Sequence, residues 1–416
     1  MTARLAVRAE RAFDGERWIR DGALVLAENG RIVAVEPATA PVPSGWQVVE
    51  HPGSTLLPGL IDAHVHLSGD GESGALDRLA DYRDAELDSV VETSLRAQLA
   101  AGVTTVRDLG CRRFAVLGWR NRPGLPAVVA SGPPITVAGG HCANMGGGVS
   151  GTAQLRAAVE ERVERGADVV KIMASGGVMT AGTDPFQPQF SLDELRLVVD
   201  QAHAAGLPVT AHAHALAAVE LAVAAGVDGI EHCTCGSRDG FRLPAGLLNS
   251  LAALRIAVCP TLGGVRVPSP PPHLLEFLRG VGLLPEQERH RVARFVEGGV
   301  RLVSGSDAGI GEFKPHGVLP TSIIALAEAG AGLDAALASA TAVAADVCGL
   351  GRSKGRLRAG FDADLLLVDG DPSGDLTALT RPAAVVLAGQ RVSGHAGSAA
   401  QDAGVLTGST TAHARD

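Results

Sequence analysis

The chain has 416 residues, room for one large α/β barrel or two medium domains, and its 46% hydrophobic content and 53 glycines suit a compact α/β protein with many tight loops. Its formal charge of −9 is modest and no basic patch stands out, which argues against nucleic acid as a partner. The first eight residues hold no apolar signal core, and no apolar run reaches the ~18 residues of a membrane span, so a cytoplasmic protein without membrane contact is expected.

Residues 1–57 read as short strands and turns, around 5–8, 22–26, 31–35 and 46–49. From about 60 to 350, apolar strand-like runs alternate with helical stretches. Strands are predicted to begin near Leu60, Val103, Ala127, Asp168, Pro208, Gly229, Ala257 and Arg301. One intervening helix is explicit: Ser191 with Glu194 makes a capping box, Leu195, Val198, Val199 and Ala202 form a stripe, and Gly206 ends it. Successive β-α units of this kind imply a closed parallel barrel. A doubly wound sheet would need a phosphate loop at its switch point, and no G-x-G-x-x-G or Walker motif stands in context. Residues 351–393 return to short strands. Neither flank alone offers a full core. The expected architecture is therefore a (β/α)8 TIM barrel over 58–350 and one small β-sandwich built from 1–57 and 351–393. The Gly/Ala/Ser/Thr-rich segment 394–416 is expected to be a disordered tail.

Chemistry-bearing residues lie on the barrel strands. His64 and His66 follow Pro58-Gly59, and residues i and i+2 of a strand share a face, so both imidazoles can reach one point. Lys171, His212, His214, His232 and Asp307 follow on later apolar runs. Charges and imidazoles are rare there unless paired or bound to metal. In a parallel barrel such residues gather at the C-terminal strand ends. Of these, the four histidines His64, His66, His212 and His232 with Asp307 and Lys171 suit one or two divalent ions, zinc foremost. The chain has only three lysines among 36 Lys and Arg. Lys314 and Lys354 fall in polar loops where either cation would serve. Lys171 falls in an apolar strand, where an amine that can lose its proton is the distinguishing property. The six cysteines read as free thiols, and Cys233-x-Cys235 lacks the second pair that a zinc site would need.

These segments resemble the amidohydrolase superfamily, in particular its imidazolonepropionase-like and dipeptidase-like members. The matching stretches run from Leu57 to His66, Gly102 to Asp108, Gly139 to His141, Val170 to Gly177, Ala211 to His214, Ile230 to His232 and Ser306 to Gly309. Gly360 to Leu365 resembles the family's return strand. The resemblance implies a hydrolase with two divalent ions, His64, His66 and Asp307 holding one, His212 and His232 the other. Lys171, carboxylated by CO₂ to a carbamate, would bridge them. A bridging hydroxide would attack the substrate carbonyl, with Asp307 as general base and then acid. His141 reads either as a loop cap or as a substrate contact, and His214 as a partner to a ligand or a substrate contact. Glu231 reads as structural, pointing away. Thr183-Asp184-Pro185 and His316 lie on loops after the fourth and eighth strands, where either could touch substrate.

The function this implies is cleavage of a C–N bond in a small amide or cyclic amide, with a homo-oligomer compatible. A deaminase or lactone hydrolase of the same superfamily is the alternative. Deaminases lack the lysine and carry a Glu shortly after the fifth-strand His, where this chain has Ala215, Leu216 and Ala217. A non-catalytic scaffold would have lost ligands that are all present here.

Overall fold

A computed structural model describes residues 4–266 and 282–392, with Leu275 and residues 278–280 between them. The segment 394–416, expected to be a disordered tail, lies outside the described residues.

Two sheets draw on the ends of the chain. One runs Arg31–Glu36, Ala23–Glu28, Arg4–Ala9, Gln47–Glu50. The other runs Gln390–Val392, Pro382–Leu387, Leu365–Val368, Thr55–Pro58, Arg11–Phe13, Trp18–Ile19. Leu365–Val368 therefore sits between a C-terminal and an N-terminal neighbour, antiparallel to both. Its unbroken apolar run has a physical reason, because successive side chains of a strand face opposite sides. Leu365 and Leu367 enter a core with Leu5, Val7, Val25 and Leu56. Leu366 and Val368 enter the core of the central body with Leu57, Leu95 and Val103. Lys354, expected in a loop open to either cation, instead pairs with Asp362 at 3.0 Å and Asp364 at 2.5 Å, and so ties the loop ahead of this strand.

The central body is TIM-barrel-like. Leu60–Val65, Val103–Asp108 and Ala127–Ala130 are parallel neighbours, as are Val170–Met173, Val209–Ala215, Gly229–Ser237 and Ala257–Cys259. A bridge between Ile135 and Ile172 joins the two groups. The strand predicted from Arg301 is reduced to single bridges, Leu302 with Val258 and Ala308 with Val65. Two features interrupt it. Gly305 presses against the first strand so closely that a Cβ there would lie 2.6 Å from that of His64. Asp307 has a left-handed φ of 60°. The helix Leu192–Ala204 begins at Ser191 with the expected box and buries Leu195, Val198, Val199 and Ala202.

The run Leu319–Ser339 is apolar and long enough to cross a bilayer by length and composition. Gly330, at φ 104°, breaks it. The helices on either side, Leu319–Leu326 and Gly332–Ser339, bury Leu319, Ile323, Ile324 and Leu337 in the central core.

Leu366 ties the terminal sheet to the central body. Leu366→Ala should cost about 2–5 kcal/mol of stability, the range for a buried leucine whose site cannot collapse. Urea unfolding measures it, and a change under about 0.5 kcal/mol would contradict the packing described.

Candidate metal centre

Six imidazoles meet at the C-terminal ends of the strands. Ring centroids are 5.2 Å apart for His64–His66, 5.5 Å for His64–His232, 4.7 Å for His212–His232 and for His214–His232, and 4.6 Å for His141–His212. Burial holds most of them neutral. The His64 ring is pushed down to about 4, His141 to about 4 and His214 to about 3, and His212 and His232 lie well below the ordinary value. His66 is the exception. Burial lowers it too, but the hydrogen bond and charge of Asp307 outweigh this and raise it.

The far nitrogens settle which atoms face inward. His66 Nδ1 lies 3.0 Å from the Gly110 carbonyl, which can only accept, so Nδ1 carries the proton. His64 Nδ1 lies 2.8 Å from the Glu231 carboxylate, again an acceptor. Their Nε2 atoms face each other across 3.3 Å, beside Asp307 Oδ1 at 3.3 Å from the first and 3.2 Å from the second. On the other side His212 Nε2 donates to the Gly176 carbonyl at 3.2 Å and leaves Nδ1 free. His214 Nδ1 pairs with Thr234 Oγ1 at 2.7 Å, and His232 Nδ1 with Thr261 Oγ1 at 2.9 Å. Three groups have donor atoms within 4.8 Å of one another: His64, His66 and Asp307; His212, His214 and His232; and His64, Glu231 and Cys259, the last using the His64 nitrogen that Glu231 occupies. Imidazoles locked by an outer hydrogen bond with the inner nitrogen unprotonated are what a borderline-soft divalent ion requires. The residues fit such an ion. His214 thus stands among the donors as well as beside the cleft.

Lys171, on Val170–Met173, is 1% exposed. Its charge bears on His64, His66, His212, His214 and His232 alike. Burial lowers its own pKa against the pull of Glu231 and Asp307. His141 is buried against the same cleft, its Nδ1 2.8 Å from Thr180 Oγ1. Thr183 closes its own loop on the Gly177 carbonyl, Asp184 pairs with Arg238 at 2.5 Å, and His316 lies 2.8 Å from the Gly69 carbonyl. Among the described residues all six thiols are free.

Glu231 departs from the sequence reading. It does not point away. Buried at 1% exposure, it binds His64 through one oxygen, and Arg107 at 3.1 Å and Thr210 Oγ1 at 2.6 Å through the other. Burial raises its carboxyl, but His64 and Arg107 hold it well below the usual range. Neighbours in a regular strand face opposite sides. The left-handed φ of 66° at His232 breaks that alternation, so Glu231 and His232 both serve the site. Asp62 was also missed. Its carboxylate accepts from the His64 amide at 3.3 Å, the Ser306 amide at 2.9 Å and Ser306 Oγ at 2.5 Å, clamping the first strand to the turn that carries Asp307.

Glu231→Gln should weaken metal binding about 10–100-fold, the usual cost of losing a ligand's orienting partner. It should also destabilise the fold by about 3–5 kcal/mol, because the buried Arg107 loses its counter-charge. Chelator competition and urea unfolding read the two effects. Wild-type values in both would remove Glu231 from the site.

Known proteins are similar to this chain. An ochratoxinase of Aspergillus niger is 26% identical over an alignment covering 89% of this chain and 82% of the relative. The solved structure of a prolidase complexed with N-methylphosphonate-L-proline is 27% identical, with a TM-score of 0.80 over 94% of this chain and 100% of the other. A Xaa-Pro dipeptidase with methionine bound in its active site has the same fold, with a TM-score of 0.81 at 23% identity over 94% of this chain and 100% of its own. The model of the amidohydrolase family matches residues 55–392, from the strand that precedes His64 to the last described residue, and the chain belongs to that family.

Proposed function

We propose that the chain is a hydrolase using two divalent ions, zinc foremost, to cleave the C–N bond of a small amide or cyclic amide. Family membership and the hydrolases among its relatives support an enzyme acting on C–N bonds. The observation that carries the two-ion reading is the pair of donor groups, His64, His66 and Asp307 and His212, His214 and His232, whose imidazoles all feel the charge of one buried lysine. We assign His64, His66 and Asp307 to one ion and His212 and His232 to the other. We read Lys171 as their carboxylated bridge. A desolvated amine is more easily neutral, and a neutral amine can add to CO₂, releasing a proton and leaving a carbamate anion among neutral imidazoles. Bound there, the ions would supply Lewis-acid polarisation of a carbonyl and a water of lowered pKa.

The chain's own residues do the rest. His64 and His66 hold the Asp307 carboxylate well below its usual range despite burial, so it stays ionised and able to accept a proton. In this reading Asp307 takes the proton of the attacking water and returns it to the leaving nitrogen. His141 and His214, kept neutral by burial, contact the substrate. We further propose an eight-stranded (β/α)8 barrel carrying a β-sandwich made by both chain ends, and a cytoplasmic enzyme with no nucleic-acid or membrane partner.

Hydrolysis of dipeptides, N-acyl amino acids, hydantoins and lactams by zinc-loaded protein tests the activity, and ammonia release from aminated heterocycles would point to a deaminase instead. On the best substrate, Asp307→Asn should keep the fold and lower kcat about 10³-fold, since the proton acceptor is lost. A fall of less than about tenfold would mean that another group takes the proton.

A further inference from the structure

Lys314 was expected in a loop where arginine would do as well, and the structure contradicts this. Its side chain is buried, and Nζ donates to three carbonyls of one loop: Thr261 at 2.7 Å, Leu262 at 3.2 Å and Gly263 at 2.8 Å. Three acceptors converging on one nitrogen match the three donors of an ammonium, not the planar fork of a guanidinium.

The gripped loop follows the strand Ala257–Cys259 and carries a strained residue. Thr261 is β-branched, yet sits at φ 49°, a backbone conformation that such residues adopt only when their surroundings impose it. Ser322 Oγ donates to the Leu262 carbonyl at 2.7 Å, and the Gly264 amide to Thr321 Oγ1 at 2.9 Å, which secures the same loop from its other side. Thr261 Oγ1 in turn stands 2.9 Å from His232 Nδ1. A continuous path therefore leads from the Lys314 ammonium through the Thr261 carbonyl and side chain to a donor imidazole.

We propose that Lys314 is a positioning residue: by holding the loop 261–264, it makes Thr261 Oγ1 accept from His232 Nδ1 and so aims the unprotonated Nε2 of His232 at the second ion. This rests on the two-ion reading above.

The test is titration of metal-free protein with Zn²⁺ against a chromophoric chelator, which resolves two affinities. Lys314→Met and Lys314→Arg should each weaken one of them about 10–100-fold and leave the other within about twofold. Thr261→Val should weaken the same one. The Lys314→Met/Thr261→Val double variant should be no weaker than the weaker single variant, because both changes cut one path. With Co²⁺ in place of zinc, the visible bands of one ion should shift and those of the other should not. Unaltered binding in Lys314→Arg overturns the proposal, as does equal weakening of both ions or multiplied effects in the double variant. Should Lys314→Met fail to fold by circular dichroism, Thr261→Val decides, and two wild-type affinities there overturn the path. A wild-type chain that binds fewer than two ions overturns the two-ion reading itself, before any variant is compared.

Discussion

The structure turns on ring nitrogens that face one another in a buried place. His64 and His66 each give their outer proton to a fixed acceptor, and their inner nitrogens meet at 3.3 Å beside the Asp307 carboxylate. His212 likewise spends its outer nitrogen on a backbone carbonyl. Burial disfavours adding protons to most of these rings. Such a cluster is unfavourable as a purely protein arrangement, because buried acceptors without donors are costly. A cation removes the cost. The arrangement is therefore one that could hold a metal ion.

The scaffold holds this arrangement through backbone strain at the strand ends. His232, Cys233, Cys235, Thr261 and Asp307 all have left-handed φ values between 47° and 66°. Non-glycine residues rarely adopt them, and they persist where the surroundings enforce them. Two of them have a visible restraint nearby. The Asp62 carboxylate clamps Ser306 beside Asp307, and the Asp307 amide donates to the His64 carbonyl at 2.8 Å. Thr261 is held by Lys314. The central cores and the sheet that gathers Leu365–Val368 supply the stability against which this strain is held.

How much was legible in the sequence depended on how local each signal was. The His64-x-His66 pair, the Ser191–Glu194 box and the apolar run 365–368 were readable, because strand alternation and helix capping are set by neighbours a few residues apart. The scarcity of lysine singled out Lys171 correctly as buried, but not Lys314. Glu231 was not legible, since its direction depends on a left-handed turn at His232 that no residue type announces. Nor was Lys314, whose three acceptors lie some fifty positions earlier in the chain. The lysine count set it aside as a polar-loop residue, and only the fold shows what the ammonium holds. The strand predicted from Arg301 shrank to two bridges because close approach at Gly305 and the turn at Asp307 serve the site rather than the ladder.

The central claim is that Lys171 serves as a neutral amine turned into a bridging anion. Elemental analysis of the purified wild-type chain and of Lys171→Arg, side by side, tests it most directly. Arginine keeps a positive charge and cannot form a carbamate, so it would set a cation among the donors. The account predicts about two divalent ions per wild-type chain and loss of metal in Lys171→Arg. Wild-type metal content in the arginine variant would contradict it.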